Sequence, residues 1–293
     1  KAKLSGKEIK MPDIEKLPQK DYQCMDFQKM IDAKHGWVGL MAWRGCPFSC
    51  TFCASTVLFG RKVRYRPIMQ IVDEIEYLQS TWGDRHFWFS DDTFTINRAH
   101  TTALFQELNR RRLKISWSCL TTIHAVNAGF LAMMQEAGCK YISYGIETGH
   151  QDFLDRYVGK RISPQEMIRT SALTHAEGIP HYGFFIFGFP GETWGSIQDT
   201  YDLIVRCKMN GGGMNILIPL PGTTLWNTLF QEQRKFSLEE IEWDRLFARL
   251  PQTGYESFTA RLAARWCELG ASELIEACRK GQDLFTDSPT RSA

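Results

Sequence analysis

The chain has 293 residues, of which 43% are hydrophobic and 23% charged, and its formal net charge is +2. That length can bury a full core as one large domain or two ordinary ones, which excludes a disulfide-stapled miniprotein, and no apolar run approaches the roughly 18 residues of a membrane span. The balanced charge provides no field for gathering nucleic acid along a face, and nine cysteines, an odd count with no signal peptide, favour a reducing, cytoplasmic setting with thiols or a metal site.

Residues 1 to 20 carry six lysines, with Pro12 and Pro18 breaking any helix, and read as an extended, solvated linker. Lys1 in place of Met suits a piece of a longer protein. Beyond the linker, short apolar runs alternate with segments of helical period, the pattern of βα units on a parallel sheet. Strands are expected at 38–43, 85–90, 114–120, 140–146, 181–188 and 213–218, with helices at 68–80, 97–112, 127–137, 164–177, 194–208 and 223–234. In the first helix Ile68, Ile71, Val72, Ile75 and Leu78 build one apolar face while Asp73, Glu74 and Glu76 stay wet. Gly138 and Gly178 stop the third and fourth helices. The expectation is an α/β fold, a partial (β/α)6 TIM-like barrel over 36–250, with a linker at 1–35 and a helical and coil extension over 251–293.

Immediately after the first expected strand comes Arg44-Gly45-Cys46-Pro47-Phe48-Ser49-Cys50-Thr51-Phe52-Cys53. Three thiols in so short a stretch can converge on one metal centre only from a tight loop, and Gly45 and Pro47 let the chain turn there. Structural zinc calls for four ligands, usually two close-spaced pairs, and no second pair occurs: Cys119, Cys139 and Cys207 each stand alone. An iron–sulfur cluster held by three cysteines leaves one iron open to a small molecule.

The Cys-x3-Cys-x2-Cys loop, with Phe52 before the last cysteine, resembles the signature of the radical S-adenosylmethionine (radical SAM) superfamily. The resemblance implies a [4Fe–4S] cluster on Cys46, Cys50 and Cys53, with SAM chelating the open iron and cleaved reductively to methionine and a 5′-deoxyadenosyl radical. It also implies a small-molecule substrate and an external electron donor of flavodoxin or ferredoxin type. Later stretches follow in the family's order. Phe89-Ser90-Asp91-Asp92-Thr93-Phe94 closes the second strand; Gly145-Ile146-Glu147-Thr148-Gly149 closes the fourth, where the family places groups on the ribose. Gly183 to Glu192 spans the fifth, resembling the segment whose backbone meets the adenine, and Ile218-Pro219-Leu220-Pro221-Gly222-Thr223 ends the sixth. On this basis Phe52, Asp91, Asp92, Glu147, Thr148, Ile186, Gly188 and Pro219 are the candidate cofactor contacts.

Arg64-Tyr65-Arg66-Pro67, the Asp91-Asp92 pair, the Gly-Phe-Pro-Gly-Glu turn and the Pro-Gly-Thr turn look most like the subgroup that often carries an upstream cobalamin-binding domain, to whose end residues 1–35 would then belong. That subgroup includes methyltransferases and cyclases. Relatives of this type often have Gln and Arg after the third strand's Ser-Cys, whereas Leu120, Thr121 and Thr122 stand here.

Other residues have plainer readings. Asp92 could cap the helix at 97–112, and Phe184, Phe185, Phe187 and Phe189 are expected to fill the core. His124, His175 and His181 read as structural, and Arg110, Arg111, Arg112 and Lys114 as solvated cations at a helix C-terminus and not an RNA patch. Arg61, Lys62, Arg64 and Arg66 offer a guanidinium that could neutralise a carboxylate or the cluster. The expected activity is radical SAM chemistry, with cobalamin-assisted methyl transfer or rearrangement or cyclisation of a small organic substrate. The alternatives are cobalamin-independent modification of RNA or peptide, and a non-catalytic iron–sulfur or zinc protein.

Overall fold

Short parallel strands separated by helices need crossovers of a dozen or more residues, and the chain supplies them at each step. The computed structural model describes residues 3–4, 7–8, 14–16, 22, 26–34, 36–243 and 255–285. Six strands, β1 (Trp37–Leu40), β2 (His86–Phe89), β3 (Ser116–Thr121), β4 (Cys139–Glu147), β5 (His181–Phe187) and β6 (Gly211–Ile216), form one sheet in chain order. The registered pairs β1 with β2, β2 with β3, β3 with β4, and β5 with β6 are all parallel. This is the α/β, partial (β/α)6 arrangement expected from the alternating pattern.

The helices are α1 (Phe27–Ala33), α2 (Ser55–Phe59), α3 (Ile68–Trp82), α4 (Arg98–Arg110), α5 (Ala128–Glu136), α6 (Gln151–Tyr157), α7 (Pro164–Ala176), α8 (Trp194–Cys207), α9 (Thr224–Trp226), α10 (Tyr255–Ala263) and α11 (Ala271–Asp283). The helix expected at 223–234 breaks: Thr223 caps α9, and the chain continues as a π turn over Asn227–Glu232. The strand expected from 213 begins two residues earlier, at Gly211. Glycines weaken strands as a rule. Here an added Cβ at Gly211 would lie 2.9 Å from the Tyr182 ring, and one at Gly212 would lie 2.6 Å from the Phe285 ring, so the bare backbone makes room for aromatics.

By its contacts the chain divides into two compact units. The first holds residues 1–47, 58–144 and 173–181, the second 48–57, 145–172 and 182–293. In the first, Trp43 stacks on Phe94 at 4.8 Å, Phe94 on Phe89 at 4.2 Å, and Trp117 stands 5.3 Å from Phe94. Such pairs each add about 1 kcal/mol to the burial of their area. The N-terminal segment is not wholly solvated as expected: Ile14 and Tyr22 are buried, and the Tyr22 hydroxyl donates to Glu74, which also pairs with Arg66. In the second unit Phe187 packs on Tyr201 of α8 and Phe185 on Phe285. Phe185, Phe187 and Phe189 fill the core, whereas Phe184 points to the opposite sheet face and is 40% exposed.

Candidate functional site

In parallel α/β folds, chemistry collects at the C-terminal ends of the strands, and the cysteine loop leaves the sheet there, after β1. Cys46 falls in the first unit, and Cys50 and Cys53 in the second. On the first unit's side, the root of the loop is held by the two aspartates that follow β2. Asp91 is 2% exposed and accepts from the backbone N–H of Ala42 and of Trp43. Asp92 accepts from the N–H of Gly45 at 3.1 Å. Burial pushes the Asp91 carboxyl up to about 7, against the pull of those backbone donors. Both aspartates therefore brace the chain entering the loop. The helix cap expected of Asp92 is instead Asn97, which accepts from His100 N–H at 3.1 Å.

Gly45 itself turns the chain with φ of +101°, and a Cβ there would strike the Lys62 carbonyl at 2.5 Å. Thr93 Oγ1 lies 3.7 Å from the Cys46 sulfur. The nearby guanidiniums are spent on backbone and structure: Arg61 donates to the Pro47 carbonyl, Arg64 to the Phe59 carbonyl, and Arg66 to Glu74. The basic run is balanced as well, with Arg111 paired to Asp73, Glu76 and Glu107.

On the second unit's side, the loop rests on the turn after α6. The Tyr157 carbonyl accepts from Thr51 N–H at 2.9 Å and from Thr51 Oγ1 at 3.1 Å. Gly159 approaches so closely that a Cβ would sit 2.6 Å from the Ser49 carbonyl carbon. Burial raises the Cys50 thiol to about 11, while the Lys160 cation and a hydrogen bond with the Gly159 backbone pull it down. Cys53 Sγ accepts from Ser55 N–H at 3.4 Å. Phe52 meets Phe189 edge-on at 6.1 Å.

The strand ends facing this loop carry the remaining candidates. Glu147, the last residue of β4, adopts φ of +72°, a left-handed conformation that costs a non-glycine residue on the order of 1 kcal/mol. Its Oε1 lies 2.6 Å from Lys160 Nζ, which also donates to the Gly145 carbonyl at 3.0 Å, and both side chains are 11% exposed. Lys160 was not singled out by the sequence, because a lysine in a turn carries no pattern. Thr148 is fully buried, and its hydroxyl meets Thr200 at 3.3 Å and accepts from His150 N–H. Gly188 has φ of +89°, with its N–H donated to Glu192 and its carbonyl taken by Trp266. Ile186 is half-buried on the sheet face opposite the helices, and Pro219 is buried after β6.

Glu192 is fully buried: Oε2 accepts from Gly188 and Phe189 N–H, Oε1 has no hydrogen-bond partner, and burial lifts the carboxyl to about 8. Among the described residues no three His, Cys, Asp or Glu side chains are gathered to hold a metal ion. The donor chemistry of the loop nonetheless fits an iron–sulfur cluster. It offers three thiols, backbone donors at two of the sulfurs and a glycine approach that a side chain would block.

A sequence profile of the Radical SAM superfamily matches residues 41–204. An uncharacterised methyltransferase of Pyrococcus horikoshii is 32% identical over 219 residues, covering 75% of this chain and 46% of the relative. The anaerobic magnesium-protoporphyrin IX monomethyl ester cyclase of Rubrivivax gelatinosus is 29% identical over 202 residues, covering 68% of this chain and 36% of the relative. The chain thus spans less than half the length of either. Among solved structures, the radical S-adenosylmethionine methyltransferase TsrM of Kitasatospora setae, with cobalamin and a [4Fe-4S] cluster bound, superposes with a TM-score of 0.62 at 20% identity, covering 67% of this chain and 37% of that one. The last likeness shows the fold.

Proposed function

The chain belongs to the radical SAM superfamily, and from that membership we propose that it holds a [4Fe–4S] cluster on Cys46, Cys50 and Cys53 and cleaves SAM reductively for methyl transfer or cyclisation of a small organic substrate. The observation that carries this is the three-cysteine loop, braced on its first side by Asp91 and Asp92 and on its second by Tyr157 and Gly159. The cluster and SAM, when bound, supply the electron and the adenosyl radical.

The protein's own part is to bind, orient and exclude water. The Glu147–Lys160 pair presents one negative and one positive group to a zwitterionic amino acid, matching the ammonium and carboxylate of SAM's methionine moiety. The strand-end turn from Gly188 to Glu192, with Ile186 beside it on β5 and Pro219 after β6, forms the surface proposed to receive the adenosyl moiety. Phe52 seals the second unit's side of the loop against Phe189. Cobalamin is proposed as the methyl carrier: a relative is a methyltransferase, and the methyltransferase TsrM, which shares the fold, binds cobalamin as well as its cluster. The electron donor is proposed to be a flavodoxin- or ferredoxin-type protein, in a reducing cytoplasmic setting; no helix of the described residues is long and apolar enough to cross a membrane.

Anaerobic reconstitution followed by dithionite and SAM tests the reading. Release of 5′-deoxyadenosine by the wild-type chain, abolished in Cys50→Ala, supports it. A fully loaded cluster that leaves SAM intact would remove it.

A further inference from the structure

The segment after the last βα unit carries none of the motifs above, yet it reaches onto the turn that ends β5. Trp266 is 6% exposed; its indole N–H donates to the Gly188 carbonyl at 2.7 Å, and its own carbonyl accepts from Gly191 N–H at 2.8 Å. Two residues on, Glu268 N–H donates to the Glu192 carbonyl at 2.9 Å. From the end of α10, the Ala263 methyl closes over Gly188, where an added Cβ would lie 3.0 Å away. Inside the turn, Glu192 takes the N–H groups of Gly188 and Phe189.

Gly188 is therefore gripped from two sides at a φ of +89°, its N–H by Glu192 and its carbonyl by Trp266. Apolar packing alone would seat α10 and α11 without fixing how the turn faces; a directional indole bond fixes it. The next residue is packed in its own right. The Phe189 ring stacks on Tyr157 at 5.5 Å and meets Phe52 of the cysteine loop at 6.1 Å.

We propose that Trp266 is a positioning residue for SAM: by tying Gly188 and Gly191 to the C-terminal segment, it holds the strand-end turn in the orientation that receives the adenosyl moiety. The inference rests on the radical SAM reading given above. It acts on the adenosine end of the cofactor and not on the cluster, which gives it a readout that a general structural role would not share.

The test compares wild type with Trp266→Phe after anaerobic reconstitution, measuring iron content, SAM affinity by equilibrium dialysis, and the affinity of methionine, which lacks the adenosyl group, by its effect on the spectrum of the reduced cluster. The expected result is unchanged iron, unchanged methionine affinity and SAM affinity weakened about fivefold to tenfold, the effect of one buried hydrogen bond. Equal SAM affinity in the two proteins overturns the proposal, as does an equal loss for SAM and methionine. A wild-type protein that loads iron and binds methionine but not SAM overturns the functional reading itself, and the proposal with it. If Trp266→Phe does not fold, β-(3-benzothienyl)alanine at position 266 keeps the two-ring shape without the N–H and is read by the same criteria.

Discussion

Glu147 and Lys160 form a nearly buried ion pair, and each depends on the other. Both are nearly buried, so removing the cation strands a carboxylate in a poorly solvated place, which costs on the order of 3 kcal/mol. Lys160→Met should lower the thermal midpoint by several degrees and abolish measurable SAM binding, whereas Lys160→Arg, keeping the charge, should retain most of both; calorimetry and SAM titration check the pair. Glu192 makes a different prediction. Its carboxyl stays protonated in the folded chain up to about 8, against an ordinary value of 4.5, because it is buried. The folded state thus holds a proton that the unfolded state releases, and stability falls as pH rises from about 4.5 to about 8, then levels. Asp91, raised to about 7, slopes the same way at lower pH. Glu192→Gln keeps an acceptor for the Gly188 and Phe189 N–H groups but cannot ionise. Denaturant titrations across pH should show its stability flatter than wild type between pH 7 and 8 by about 1 kcal/mol.

At the scale of elements, the cysteine loop is held by its neighbours as well as by its own bonds. The turn after α6 bears on Ser49 without room for a side chain, so Gly159→Ala must push the loop or the turn aside. Iron bound per chain after reconstitution should drop to well under half of wild type while far-ultraviolet circular dichroism is unchanged; full iron loading in the variant would show that the turn is not a support. The sheet and its helices were legible because their signals are local: α3 shows its apolar stripe at spacings of three and four, and Gly138 and Gly178 end their helices with positive φ. The support of the loop was not legible. Asp91 and Asp92 sit at a strand end, and the bonds by which they brace the loop reach back nearly fifty residues to Ala42, Trp43 and Gly45. Lys160 and Trp266 lie in turns with no periodicity, and only the fold brings them to Glu147 and Gly188. Gly211, Gly212 and Gly213 hid the start of β6 because their value lies in the rings they admit.

The whole molecule joins a parallel six-strand α/β fold, superfamily membership over residues 41–204 and a three-cysteine loop after β1. The odd cysteine count resolves accordingly. Cys119, Cys139 and Cys207 are buried thiols, raised by burial and suited to packing, while Cys267 and Cys278 are half-buried; Cys24 lies outside the described residues. On the proposed function, Cys46, Cys50 and Cys53 alone hold a cluster whose open iron takes SAM. Iron and sulfide analysis of the reconstituted chain, combined with electron paramagnetic resonance of the reduced cluster with and without SAM, tests it most directly. The expected result is about four irons per chain, a reduced-cluster signal that changes on adding SAM, and loss of both in Cys50→Ala. A signal indifferent to SAM, or undiminished iron in Cys50→Ala, would contradict it.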